Sequence, residues 1–343
     1  LQAAAAAAER RLDGDGQAVL PGERHDLVGA GHRVRGARDQ RGARALGDVT
    51  GDGVRDFAVG ATRVSDRGYV AIVSGARGGR ESDALAAQAF ILRGESLSGF
   101  FGGVVRPVAD IDGDGLDELL IGEPFGGAPF LPRNGRVYLV YGSHAFGLVG
   151  SADVEAAEIR MTRIFGAELD EAAGFAVAAG KFDNNQEIDL VIGAPLGADG
   201  AGRAYIVYDV QNYAGGTIDL SQLGEIEGPP GARLLGLPGE RLGYAVTNLG
   251  DFDGDRREDF AIGAPESASR AGAVRVIYGV HNHTTNAWAN TLATLTTGRT
   301  DLHVLVLNVT NHTKRCRCFQ AETTNFTRWK AYLGVVTLFG HKL

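Results

Sequence analysis

The nonapeptide Asp110-Ile-Asp-Gly-Asp-Gly-Leu-Asp-Glu118 is the clearest of four acidic segments that recur along the chain, and the fold is inferred from their recurrence. The four begin at Asp48, Asp110, Lys181 and Asp251, at nearly even intervals. They are loop 1 (residues 48–56), loop 2 (110–118), loop 3 (181–189) and loop 4 (251–259). A near-constant period predicts a repeat protein in which each repeat is one structural unit.

Acidic residues are concentrated in these loops. The loops hold 16 of the 42 Asp and Glu residues and carry a net charge of −12, in a chain whose total is −8. So much negative charge in short segments repels itself unless positive charge is bound there. The loops therefore predict cation sites. Their repetition favours a structural role, because an active site is normally single.

Strands are predicted on the C-terminal side of every loop. Each loop leads into an apolar run that ends in Gly: Phe57–Gly60, Leu119–Gly122, Leu190–Gly193 and Phe260–Gly263. A Gly-led segment rich in aromatic and β-branched residues follows: Gly68–Gly75, Gly135–Gly142, Gly202–Tyr208 and Gly272–Gly279. Short apolar runs without a helical period are typical of strands, and a run that is apolar throughout indicates burial on both faces. About four strands per repeat predicts an all-β propeller, whose radial closure protects the strand edges.

Calcium is the cation that the loops predict. Positions 1, 3, 5 and 9 supply side-chain oxygens and position 7 supplies a backbone carbonyl, which suits the roughly 6–8 oxygen ligands of Ca²⁺. The predicted ligands are Asp48, Thr50, Asp52, Val54 and Asp56 in loop 1, Asp110, Asp112, Asp114, Leu116 and Glu118 in loop 2, and Asp251, Asp253, Asp255, Arg257 and Asp259 in loop 4, with Val54, Leu116 and Arg257 acting through their carbonyls. The alternative is that the loops are acidic Asx turns between strands and hold no metal.

An EF-hand is excluded by position 12 of the loops. That motif requires a bidentate Glu at this position and flanking helices. Here the position is Val59, Ile121, Ile192 or Ile262, each within a predicted strand.

Loops 3 and 4 depart from the pattern. Position 6 is Gly53 or Gly115 in the first two loops, where the sharp turn favours a positive φ. Loop 4 has Arg256 there, which is strained by about 1 kcal/mol, but it keeps its carboxylates. Loop 3 begins with Lys181, whose ammonium can replace the ion by pairing with Asp183 and Asp189. About three calcium sites are therefore predicted, with loop 3 empty or weak.

Composition excludes several classes of protein. The 51 Gly residues exclude a coiled coil, and two Cys residues exclude a disulfide-rich scaffold. The net charge of −8 argues against a nucleic-acid partner. No apolar run approaches the roughly 20 residues that span a bilayer, so membrane association is expected only through segments outside this sequence. No nucleophile elbow, phosphate loop or His-Glu-x-x-His motif occurs, and we expect no enzymatic activity.

The repeats resemble the FG-GAP repeats of the integrin α-subunit β-propeller. The resemblance rests on Phe101-Gly102, on the acidic loops, and on Ile192-Gly-Ala-Pro195 and Ile262-Gly-Ala-Pro265. It covers about residues 40–280. It implies that the loops join the first two strands of each blade and hold Ca²⁺ on one face. Protein ligands or a partner subunit are then expected on the opposite face.

The resemblance is incomplete at both ends of the chain. At the observed spacing of the loops the chain is too short for the seven blades of that family, and we expect an incomplete propeller with about five recognisable ones. Residues 1–39 are expected to be a degenerate repeat, 40–280 the blades, and 281–343 a poorly specified tail that need not be native to the propeller. The tail carries four glycosylation sequons, which also arise by chance in Thr-rich sequence, at Asn282, Asn308, Asn311 and Asn325.

The expected function is that of an extracellular or cell-surface, calcium-binding adhesion or ligand-binding module. Two alternatives stay open. The chain also resembles the FG-GAP region of glycosylphosphatidylinositol-specific phospholipase D, which implies an accessory propeller attached to an extracellular enzyme. The second alternative is that the chain is a non-functional fragment without a stable fold.

Overall fold

The structure is a computed structural model. It describes residues 17–18, 43–62, 67–77, 89–127, 132–148, 150–225, 227–267, 272–279, 304–308 and 320–322. The predicted N-terminal repeat and most of the predicted tail lie outside these residues. Among the described residues, no helix has the length and apolar character needed to cross a membrane.

The described chain is almost entirely β-structure. In chain order the strands are β1 (Gln17–Ala18), β2 (Ala43–Ala45), β3 (Phe57–Ala61), β4 (Tyr69–Val73), β5 (Ala89–Arg93), β6 (Val104–Val108), β7 (Glu118–Glu123), β8 (Arg136–Val140), β9 (Gly150–Asp153), β10 (Met161–Phe165), β11 (Ala176–Gly180), β12 (Asp189–Ala194), β13 (Arg203–Val207), β14 (Thr217–Asp219), β15 (Gly231–Leu235), β16 (Ala245–Gly250), β17 (Asp259–Ala264), β18 (Ala273–Ile277), β19 (Val304–Asn308) and β20 (Gln320–Glu322). The described helical segments are short: 3₁₀ helices at Gly75–Arg77, His144–Gly147, Val210–Tyr213 and Leu220–Gln222, and an irregular helical turn at Gly197–Gly200.

The described strands form four antiparallel blades, one for each acidic loop. The fifth expected blade falls on residues 1–39, which lie largely outside the described residues. Blade 1 is β2-β3-β4-β5, blade 2 is β6-β7-β8-β10, blade 3 is β11-β12-β13-β15, and blade 4 is β16-β17-β18-β19. β1 pairs with β2 at one edge, and β20 pairs with β19 at another. The described blades are those of a propeller, and they form an open series and not a closed ring.

Two short strands cross from one blade to the next. β9 lies in the connection between β8 and β10 of blade 2, yet it pairs in parallel with β5, the outer strand of blade 1. β14 lies between β13 and β15 of blade 3 and pairs in parallel with β10, the outer strand of blade 2. We call β9 and β14 the latch strands, because each fastens its blade to the preceding one.

The hydrophobic core lies between consecutive blades. One cluster joins blades 1 and 2, a second joins blades 2 and 3, and a third joins blades 3 and 4. The second strands of blades 2, 3 and 4 are buried at every residue, which confirms the expectation of burial on both faces. β3 of blade 1 differs, because only one of its five residues is fully buried.

The glycines of the repeated motifs join neighbouring blades. Gly174 has a φ of 84°, and its N–H donates to the Gly193 carbonyl of its own blade at 3.1 Å. Its own carbonyl oxygen lies against Gly122 of the preceding blade, where a Cβ atom would be only 2.2 Å away. Gly102 bears the same relation to Gly122 and Gly60, and Gly243 to Gly263 and Gly193. Close contact between two blades therefore requires two glycines. One lies just before the first strand of a blade, and the other lies near the end of the second strand of the preceding blade.

Candidate metal centre

The four acidic loops lie at the same end of their blades. Each joins the first strand of a blade to the second, and residue 9 of loops 2, 3 and 4 is the first residue of that second strand. Strands and not helices flank every loop, in agreement with the exclusion of an EF-hand.

Loop 2 brings together four of its predicted ligands. One carboxylate oxygen from each of Asp110, Asp112, Asp114 and Glu118 lies within 4.8 Å of the others. Oxygens bound on opposite sides of a Ca²⁺ ion at about 2.3–2.6 Å are separated by up to about 5 Å. The spacing of the four oxygens therefore suits that ion.

Glu118 provides the strongest indication that a cation belongs here. Its side chain is fully buried, and Oε2 accepts a hydrogen bond from the Ile111 N–H at 3.0 Å. Oε1 is buried and receives no hydrogen bond. Burial, followed by the nearby negative charges of Asp112, Asp110 and Asp114, raises the pKa of Glu118 to about 8. A buried carboxylate oxygen without a partner is costly, and a divalent cation would satisfy it.

The aspartate at position 1 shapes each cation loop. Asp110 accepts the Gly113 N–H through Oδ1 at 2.7 Å and the Gly115 N–H through Oδ2 at 2.9 Å. Asp48 accepts from Gly51 and Gly53, and Asp251 accepts from Gly254 and Arg256, in the same way. These bonds fold the loop around the position at which the carboxylates converge.

Loop 1 brings together Asp48, Asp52 and Asp56 within the same 4.8 Å limit. The Thr50 hydroxyl lies 3.3 Å from Asp56 Oδ1, so the fourth predicted side chain is adjacent. Burial raises the pKa of Asp56, whereas a hydrogen bond from the Ser74 hydroxyl is the main cause of the lowered pKa of Asp52.

Loop 4 brings together Asp251, Asp253 and Asp259. The Asp255 carboxylate instead contacts the Arg257 guanidinium. Asp255 and the three carbonyls at position 7 (Val54, Leu116 and Arg257) stay predictions as ligands. Arg256 at position 6 has a φ of 75°, the left-handed conformation that the glycines of loops 1 and 2 adopt.

Loop 3 is organised differently. Among the described residues, the converging acidic groups lie in loops 1, 2 and 4. The Lys181 Nζ atom is 3.5 Å from Gln186 Oε1, and its predicted pairing with Asp183 and Asp189 stays a prediction. Asp189 is buried and accepts the N–H groups of Phe182 and Asp209 at 2.8 and 3.0 Å. Burial raises the pKa of Asp189 to about 8.

The sequence did not single out the acids at position 8 of loops 2 and 4. Asp117 and Glu258 contact the first residue of the preceding loop, at Asp48 and Lys181 respectively. The sequence offered one signal for these residues, the acid that recurs at this position in two of the four loops. The residue that each acid contacts belongs to a different repeat, so a local pattern does not reveal it.

The opposite end of the blades combines buried charge with exposed leucines. A buried glutamate meets an arginine of the third strand in the pairs Glu123–Arg136, Glu171–Arg203 and Glu240–Arg275. The connections that enter blades 2, 3 and 4 carry Leu97, Leu169 and Leu237, whose exposed fractions are 71%, 54% and 45%. These connections precede the first strand of a blade and the acidic loops follow it, so the leucines and the loops lie at opposite ends.

Comparison with known proteins defines the class of repeat. Residues 101–140 and 242–277, in blades 2 and 4, match the family model of the FG-GAP repeat. The chain is 31% identical to integrin alpha-E of Mus musculus over 217 residues, which are 62% of this chain and 17% of that protein. It is 28% identical to integrin alpha-5 of Xenopus laevis over 229 residues, covering 64% of this chain and 19% of the relative. It is 24% identical to the phosphatidylinositol-glycan-specific phospholipase D of Dictyostelium discoideum over 216 residues, covering 58% of this chain and 22% of the relative.

The chain therefore matches the FG-GAP repeat in two of its blades, and it is similar over part of its length to integrin alpha chains and to this phospholipase D. It spans less than a quarter of the length of these relatives.

Proposed function

We propose that the chain is a calcium-binding β-propeller that serves as an extracellular adhesion or ligand-binding module and is not itself an enzyme. The observation that carries the proposal is the buried Glu118 Oε1 atom, which has no hydrogen-bond donor and belongs to a cluster of four carboxylates. The similarity to integrin alpha chains supports the adhesion role and the cell-surface location.

Calcium is favoured over magnesium by the number of protein oxygens. Loop 2 offers four converging carboxylates, and Ca²⁺ accepts many oxygen ligands in flexible geometry, whereas Mg²⁺ keeps several waters and few carboxylates. Extracellular calcium modules bind at about 10⁻⁴–10⁻³ M, a concentration that cytosolic calcium does not reach. The ion supply is therefore an argument for an extracellular site of action.

The ion acts indirectly on function. It ties positions 1, 3 and 5 of each turn to position 9 at the start of the second strand, and so fixes the angle between the first two strands. Fixed blades keep the shape of the opposite end, where Leu97, Leu169 and Leu237 are exposed. We propose that end as the face for a protein ligand or partner subunit.

Thermal unfolding in calcium tests the proposal. At about 5 mM calcium, a site with a dissociation constant near 10⁻³ M contributes about 1 kcal/mol. This corresponds to a rise in melting temperature of about 1–2 °C for each site in a chain of this size. Asp112→Ala is expected to remove part of the rise, because it deletes one carboxylate of loop 2.

The matched control is Asp183→Ala, which changes the same position 3 in loop 3. This variant is expected to keep the full calcium-induced rise, whatever its own melting temperature. A melting temperature that calcium leaves unchanged in the unaltered chain would contradict the calcium assignment. An equal loss of the rise in both variants would contradict the assignment of loop 2.

A second candidate function is an accessory propeller of an extracellular enzyme. It is supported by the similarity to the phospholipase D of Dictyostelium discoideum. The flanking coding sequence distinguishes the two candidates. A catalytic domain encoded beside the repeats favours the enzyme, whereas β-sandwich domains and a membrane span after them favour adhesion.

A further inference from the structure

Asp117 connects loops 1 and 2 through both of its carboxylate oxygens. Oδ2 accepts the Asp48 N–H at 2.9 Å, and Oδ1 accepts the Asp110 N–H at 3.0 Å. Asp48 and Asp110 are the position-1 residues of the two loops. The Asp117 N–H also donates to the Asp48 carbonyl at 3.0 Å. One side chain therefore holds the first residue of both cation loops.

The space for this bridge is provided by Gly47, the residue before loop 1. A Cβ atom at Gly47 would lie 1.5 Å from Asp117 Oδ2, so any larger residue displaces the carboxylate. One half of this arrangement, the contact from position 8 to the first residue of the preceding loop, also joins loops 3 and 4. Glu258 Oε2 accepts the Lys181 N–H at 2.9 Å, and a Cβ atom at Gly180 would lie 2.6 Å from Oε2.

The junction between loops 2 and 3 is different. Position 8 of loop 3 is Ile188, and the residue before loop 2 is Ala109. A glycine before one loop thus accompanies an acid at position 8 of the next loop, and neither is present at this junction. The bridges divide the loops into two pairs.

We propose that Asp117 couples cation binding in loop 1 to cation binding in loop 2, so that the two sites fill cooperatively. This rests on the proposed calcium function. Glu118 is next to Asp117, so an ion held by Glu118 and Asp110 fixes the Asp117 carboxylate. The fixed carboxylate orders Asp48 before loop 1 binds its own ion, and this reduces the entropy that loop 1 loses on binding. Two nearby dications repel each other, and the negative charge of Asp117 between the loops lessens that repulsion.

The coupling is reciprocal, because the effect of one site on the other is a single free energy. Loop 4 is bridged to the Lys181 loop and not to loop 2. Its ion is therefore expected to bind independently of the other two.

Hydrogen exchange in a calcium titration of the full chain measures each loop separately. Peptides from loops 1, 2 and 4 report the calcium concentration at which each loop becomes protected. We expect Asp112→Ala, which disables loop 2, to raise the loop 1 midpoint by roughly fivefold or more, the lower range of typical coupling between sites. The loop 4 midpoint is expected to stay within about twofold of its original value.

Two further backgrounds isolate the bridge. In Asp117→Asn and in Gly47→Ala, the same Asp112→Ala change is expected to leave the loop 1 midpoint unaltered. Gly47→Ala displaces the bridge without changing any charge, so it separates the bridge from a through-space effect of Asp112. Gly180→Ala is the matched control, because it disturbs the other pair and is expected to preserve the coupling of loops 1 and 2.

The outcomes are distinguishable. A loop 1 midpoint that ignores Asp112→Ala in the unaltered background overturns the coupling and leaves the calcium function standing. If Asp112→Ala still shifts the loop 1 midpoint in the Gly47→Ala background, the shift arises from charge and the role of Asp117 is overturned. Absence of calcium-dependent protection in loops 1, 2 and 4 of the unaltered chain overturns the proposed function itself.

Discussion

At position 6 of the acidic loops, the backbone adopts a positive φ whether or not the residue is glycine. The φ angles are 81° at Gly53, 88° at Gly115, 72° at Gln186 and 75° at Arg256. In loop 4 the conformation is held by the hydrogen bond from the Arg256 N–H to Asp251 Oδ2 at 3.0 Å. The loop hydrogen bonds therefore impose the turn on a residue that disfavours it.

Arg256→Gly is expected to stabilise the chain. Relief of left-handed strain contributes about 1–2 kcal/mol, and the greater chain entropy of glycine takes back about 0.5–1 kcal/mol. The change also removes a positive charge from loop 4, so calcium is expected to add more stability than before. Urea unfolding with and without calcium measures both effects.

Gln186→Gly is the matched control for this substitution. It relieves the same strain in the loop that begins with Lys181, and is expected to stabilise the chain without changing its response to calcium. If Arg256→Gly and Gln186→Gly alter the calcium response equally, the assignment of an ion to loop 4 and not to loop 3 is wrong.

At the scale of the strand, close packing against the next blade explains why the apolar runs of blades 1, 2 and 3 end in glycine. A Cβ atom at Gly193 would lie 2.0 Å from the Gly243 carbonyl oxygen of the next blade. Gly263 holds the same position in blade 4, where the nearest atom to an added Cβ is 3.5 Å away. The two residues have the same strand position but differ in whether a described blade follows.

Gly193→Ala is therefore expected to lower the free energy of unfolding by about 1–3 kcal/mol, the usual effect of overpacking a well-packed contact. Gly263→Ala, the matched control, is expected to change it by less than about 0.5 kcal/mol, as a substitution that meets only ordinary contacts does. Chemical denaturation compares the two. Equal losses would show that the glycines matter for the strand and not for the contact between blades.

The buried acid at the far end of the blades reaches its arginine from two different elements. Glu171 and Glu240 come from the connection that enters their blade, whereas Glu123 comes from the end of the second strand. Gly99 occupies the place in blade 2 that corresponds to Glu171, and a Cβ atom there would lie 2.3 Å from Glu123 Oε1. In blade 2 the carboxylate therefore comes from the second strand instead of from the entering connection, and the missing side chain at Gly99 leaves room for it.

Much of the fold was predictable from short-range pattern. The apolar runs predicted the second strands, and the Gly-led segments predicted the third strands. The carboxylate spacing predicted the groups that converge in loops 1, 2 and 4. The exception within loop 4 is Asp255, which contacts Arg257, because an arginine two residues away competes for the carboxylate.

The contacts between blades were not predictable in the same way. The latch strands β9 and β14 are short and partly polar, so they carry no apolar alternation that indicates a strand. Asp117 and Glu258 act on residues in another repeat, and their role depends on how two blades are placed. Such contacts join residues that lie about one repeat apart in the sequence. They are set by how neighbouring blades pack, which a local pattern does not encode.

At the scale of the whole molecule, the blades are expected to unfold together. The cores between consecutive blades, the glycine contacts and the latch strands all join neighbours. A urea titration is expected to give one transition with the same midpoint by circular dichroism and by tyrosine fluorescence, as two-state unfolding requires. Separate midpoints would show that the blades are independent, and a gradual change without a transition would favour the non-functional fragment.

The latch strands make the limits of a blade in space differ from its limits along the chain. A truncated chain that ends after β8 removes β9 from blade 1 and leaves the edge of β5 open to pairing with another molecule. Ending after residue 153 retains that strand, and ending after residue 219 retains β14 on blade 2. A blade that is transferred to another protein must likewise include the latch strand from the next blade. Without that strand, the edge of its outer strand is exposed and prone to association.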